Sequence, residues 1–166
     1  MRDRLHDATD EQPLARNSRA YRDGVEVWLR NSKAKLKDWK IELDAPPESV
    51  KATIETDQGK LLDALQVILW YKHFIHVKLV RALTSLEEER EDEPEMAEFG
   101  KDSDGSAKIA LIAIDKSLEA WGVLHQYFPS VEIDTIVNFL RHLREETEEH
   151  FPNARLFVRP GFDQDV

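Results

Sequence analysis

The chain predicts an all-α fold: an antiparallel up-down four-helix bundle with a disordered N-terminal arm and a C-terminal tail packed on the bundle. Three observations carry that expectation. Apolar residues recur at spacings of three and four in four separate stretches, and no stretch alternates with a period of two. Proline, glycine or blocks of charge bound those stretches. The 166 residues are 41% hydrophobic and 34% charged, which suits one core with long solvated helix faces. The expected division is an arm over 1–14, a bundle over 15–150 and an extended tail over 151–166.

The arm is polar, contains Pro13 and shows no periodicity. From Ala15 to Leu43, the positions Tyr21, Val25, Trp28, Leu36, Trp39 and Leu43 mark one buried stripe. Asp44-Ala45-Pro46-Pro47 stops that helix, because proline lacks an amide donor and restricts the residue before it. Val50 and Ile54 offer a short lead-in to the next helix, and Asp57-Gln58-Gly59 a break. A long second helix then runs through Leu61, Leu65, Ile68, His76, Leu79, Leu83 and Leu86. It is apolar over most of its circumference, as a central helix would be. From Leu86 to Asp104 there are ten acidic residues against Arg90 and Lys101, and this segment reads as a solvated loop. The third helix is expected from about Ser106 to Tyr127, with Ile109, Ala113, Ala120 and Leu124 inward. Phe128-Pro129-Ser130 forms a corner, and Ser130 caps the fourth helix. That helix turns Ile133, Ile136, Val137, Leu140, Leu143 and Thr147 inward and ends near His150. Phe151, Leu156, Phe157, Val158 and Phe162 are too many bulky side chains for a free tail, so the tail is expected to pack across the bundle.

Charge narrows the function. With 33 acidic residues against 23 basic, the net charge is −10. A general nucleic-acid binder needs a positive field to displace counterions, and docking on anionic lipid needs the same, so neither partner is expected. No stretch approaches the ~20 clean apolar residues of a membrane span. The N-terminus lacks the apolar core of a secretory signal, so a cytoplasmic setting is expected. Without cysteine there is no disulfide, thiolate metal site or thiol nucleophile. Glycine-rich phosphate loops and His-Glu-x-x-His are absent. None of the six histidines has glutamate three positions before it, which argues against a ferritin-like metal site. No cofactor is expected.

The candidate ligand-binding residues come from misplaced polarity. His73 and His76 lie one turn apart on the second helix, and Lys72 falls in its apolar sector. Two imidazoles alone leave a metal short of ligands, so no metal is expected there. Lys116 falls in the apolar sector of the third helix, next to Ser117. If the second and third helices form a hairpin around the acidic segment, Lys72 faces Glu119 and His76 faces Asp115. The expectation is either interhelical ion pairs or a polar layer holding a small anionic ligand.

A second candidate surface is basic. Arg30, Lys33, Lys37 and Lys40 lie three or four apart on the first helix, opposite its tryptophans, with Val27 and Leu29 beside them. This stripe complements the negative end of the helix dipole, or meets the acidic segment over 86–104, within the monomer or in a neighbouring copy. The function expected is a soluble binding or assembly module that self-associates or takes a protein partner. The alternative is a small-molecule or metal-dependent enzyme built on the His73 and His76 layer.

Overall fold

The structure, a computed structural model, describes residues 9, 11–38, 57–91 and 102–158. Those residues form four helices: α1 (Pro13–Asp38), α2 (Asp57–Glu91), α3 (Asp102–Tyr127) and α4 (Val131–His150). A single 3-10 turn, Ala154–Leu156, follows. There is no strand among the described residues.

Cross-helix contacts fix the topology. Thr9, Ser18 and Glu26 meet Thr84, His76 and Lys72, so α1 rises as α2 falls. Glu89 meets Ser103 near one end of the α2/α3 pair, and Val67 and Val123 line one cavity nearer the other. Asp115 and His125 meet Arg144 and Asp134, which sets α3 against α4. Asn17 meets Glu146, while Gly24 and Thr135 share a cavity wall between α1 and α4. Every neighbouring pair is therefore antiparallel, and the bundle is up-down as its periodicities predict. The α2/α3 pair shares the most extensive interface. The core is filled by Leu65, Ile68, Ile75 and Leu79 from α2, Leu111, Ile114 and Trp121 from α3, and residues of α1 and α4. Trp28 and Trp121 pack edge to face, with ring centroids 5.0 Å apart.

Local chemistry moves several boundaries. Pro13 opens α1, where a missing amide proton costs nothing, and Leu14 and Ala15 are already buried. The helix thus begins two residues before the expected start at Ala15. The acidic segment is not all loop. Glutamates suit a helix interior, and α2 continues to Glu91. Asp102 and Asp104 complement the positive end of α3's dipole, so that helix begins four residues earlier than expected. Glu89 closes the hairpin by accepting from both the backbone N–H (3.1 Å) and the hydroxyl (2.7 Å) of Ser103. Ser130 caps α4 as expected, accepting from the Ile133 N–H at 3.1 Å. Trp39, Leu43, the Pro46-Pro47 stop, Val50, Ile54 and Phe162 lie outside the described residues.

Two expectations need correction. The tail packs through Phe151 and Ala154, whereas Leu156 and Val158 are exposed. Polar contacts hold the rest: the buried Lys108 donates to the Phe157 carbonyl at 2.6 Å, and Arg155 bonds both Asp115 and Glu148 at 3.1 Å. Partial burial works against the charge of Arg155, but these two carboxylates outweigh it and raise its pKa above the ordinary arginine value. Helix α2, for its part, is not central. Its outer face carries Trp70 at 73% exposure and Val77 at 44%. No helix among the described residues is long and apolar enough to cross a membrane.

Candidate functional site

The polar residues expected to form one layer are distributed to four places. Helix α2 turns Lys72, His73 and His76 toward α1, not α3. Lys72 pairs with Glu26 at 3.1 Å, His73 Nδ1 lies 3.3 Å from Arg22 Nη1, and His76 Nδ1 lies 2.8 Å from Ser18 Oγ. The Ser18 hydroxyl also reaches the Ala15 carbonyl at 2.8 Å, so it ties His76 to the α1 backbone. A guanidinium can only donate, so His73 Nδ1 accepts from Arg22 and its ring proton sits on Nε2. The two imidazoles are thus held by separate partners on α1, with centroids 6.3 Å apart.

Asp115 points the other way. Its two carboxylate oxygens accept from Arg144 (3.3 Å) and Arg155 (3.1 Å), which ties α3 to α4 and the tail. Ser117 is in the core, donating to the Ala113 carbonyl at 2.8 Å. Beside it, Trp121 Nε1 donates to the Tyr21 hydroxyl at 3.1 Å. Burial pushes the Tyr21 hydroxyl up to about 12, while its hydrogen bonds with Trp121 and Ser117 pull it back. Lys116 and Glu119 stay together, apart from the Lys72, His73 and His76 group. They are exposed and line a surface cavity of about 340 Å³ with Lys60, Asp63, Val67 and Val123.

The expected facings of Lys72 with Glu119 and His76 with Asp115 are therefore not made. The hairpin has the expected register, but these side chains leave it for the neighbouring helices. Among the described residues no buried side-chain nitrogen or oxygen lacks a hydrogen-bond partner. No group of three or more metal-ligating side chains is assembled among them either.

On α1, Arg30, Lys33 and Lys37 are exposed, and Lys40 lies outside the described residues. Val27 is exposed beside them. Leu29 is buried in the core, so it is not available as contact area.

The feature that sequence reasoning missed is the outer face of the α2/α3 pair. Asp63, Val67, Trp70, Phe74, Val77 and Arg81 are spaced alternately by four and three in one row, of which Asp63, Trp70, Val77 and Arg81 are exposed while Val67 and Phe74 are half-buried and pack against the core. Phe74 is fixed by an edge contact with Tyr71 and by Lys78 lying 5.5 Å from its centroid. On α3, Ile112 is 41% exposed in a parallel row with Lys116, Glu119 and Val123. A second groove runs between α1 and α4, where Val27, Val131 and Phe139 are exposed. It holds cavities of about 270, 250 and 160 Å³.

Comparison with known proteins finds no matching family model, no matching curated protein and no matching solved structure.

Proposed function

We propose that the chain is a soluble, cytoplasmic assembly module that associates with copies of itself through an outer helix face. One observation carries this reading: Trp70 stands 73% exposed within a row of apolar side chains, on a chain whose described interior polar groups are all partnered. Tryptophan is the side chain most enriched at the energetic centres of protein interfaces. Covering this one would contribute roughly 3–4 kcal/mol from its apolar area alone. An interior site for a small anion has less support, because Lys72, His76 and Asp115 are each engaged on a different side of the bundle from the one that layer requires.

The test is the mass of the full chain in solution. Sedimentation velocity between ~1 and ~100 μM should show a reversible rise from monomer to a discrete oligomer. A chain that stays monomeric at ~100 μM contradicts the proposal.

A further inference from the structure

We infer that the second copy docks antiparallel along α2, about a two-fold axis passing between Trp70 and Phe74; this rests on the assembly reading above. The row from Asp63 to Arg81 is self-complementary in that arrangement. Trp70 meets Phe74 of the partner subunit, Val67 meets Val77 of the partner subunit, and Asp63 meets Arg81 of the partner subunit. Each contact is made twice, as a two-fold interface requires.

Charge selects this arrangement over its alternatives. Parallel pairing would set Asp63 on Asp63 and Arg81 on Arg81. Sliding the antiparallel pair by one heptad, so that Phe74 meets Val77, would set Asp63 on the exposed Glu88 of the partner subunit. Only the register centred between Trp70 and Phe74 gives an apolar middle with opposite charges at both ends. Neither Asp63 nor Arg81 makes an ion pair with another described residue, so both are available.

The flanking helix α3 lies in the same interface. The level of the axis on α3 lies within one helical turn of the midpoint of Ile112, Lys116, Glu119 and Val123. The two-fold therefore brings the α3 rows of the two subunits alongside each other in antiparallel orientation. The α2 row is roughly 27 Å long and the α3 row roughly 17 Å, each about one helix width across, a footprint of about 430 Å² per subunit. That lies below the size of a standard stable interface and fits a weak, transient association.

Sedimentation velocity on the full chain, with helicity checked by circular dichroism, tests the inference through four variants. Trp70→Ala should raise the dimer dissociation constant at least tenfold. Asp63→Arg and Arg81→Asp should each raise it about three- to tenfold, since each leaves like charges opposed at both ends. The double variant Asp63→Arg/Arg81→Asp restores opposite charges and should return to within about twofold of the original chain. Weakening by both single reversals without rescue in the double would overturn the antiparallel register. A dimer indifferent to all four variants would overturn the α2 surface while leaving self-assembly standing, and a chain monomeric throughout would overturn both.

Discussion

Trp121 and Trp70 lie at nearly the same level of the α2/α3 hairpin and face opposite ways. Trp121 has no exposed surface. Its ring packs edge to face on Trp28, and its N–H is spent on the Tyr21 hydroxyl at 3.1 Å. Trp70 is 73% exposed, in a row that includes Phe74 and Val77. The inner ring completes the fold, because its apolar area and its one donor are both satisfied. The outer ring adds little to the monomer and leaves apolar area in water. Chemistry that is finished inside and unfinished outside argues for work done at the surface.

The comparison is broken most directly by truncating each ring in turn. Trp121→Ala opens a large cavity in the core and should cost about 3–5 kcal/mol in urea denaturation. Trp70→Ala should change monomer stability by no more than about 0.5 kcal/mol when measured below the association range. Equal losses would mean that the outer ring is structural.

A smaller effect sharpens the inner half. Burial raises the folded-state pKa of Tyr21 from its ordinary 10.0 to about 12, so the unfolded chain releases that proton first. The associated stability is fully present below pH 10 and is lost as pH rises through about 12, a change of about 2–3 kcal/mol. Urea denaturation at a series of pH values should show this loss in the original chain and not in Tyr21→Phe. Parallel curves would place the hydroxyl in contact with water.

Smallest of all is the polar ladder between α1 and α2. Lys72→Met removes an ion pair with the half-exposed Glu26 and should shift stability by less than about 1 kcal/mol. It should leave sedimentation unchanged. A large loss, or altered association, would move the centre of function from the outer face to that ladder.

These contrasts show what the sequence makes legible. Periodicity located all four helices, and Ser130 marked the start of α4 because its cap is a local interaction. The hairpin register was also legible, and Glu89 meeting Ser103 fits it. Azimuth was not. Register says which level of α3 faces a given level of α2, but Lys72 and His76 sit on the flank that meets α1. Choosing between two neighbouring helices requires the whole bundle. The acidic segment hid helix ends because charge density does not distinguish a solvated helix from a solvated loop. Trp70 was missed for a related reason. With apolar residues on most sides of α2, the helix reads as buried all round, yet the row of Asp63, Val67, Trp70, Phe74, Val77 and Arg81 carries a four-and-three spacing of its own. That second seam, ending in opposite charges, was the available signal.

Under the proposal made above, this chain acts through the outer face of α2. Fluorine NMR of the full chain labelled with 6-fluorotryptophan follows both faces in one spectrum. Trp70→Phe and Trp121→Phe identify the two resonances by their disappearance. Between ~10 and ~300 μM protein, the Trp70 resonance should shift or broaden progressively while the Trp121 resonance stays fixed. A Trp70 resonance that does not move over that range would contradict the account.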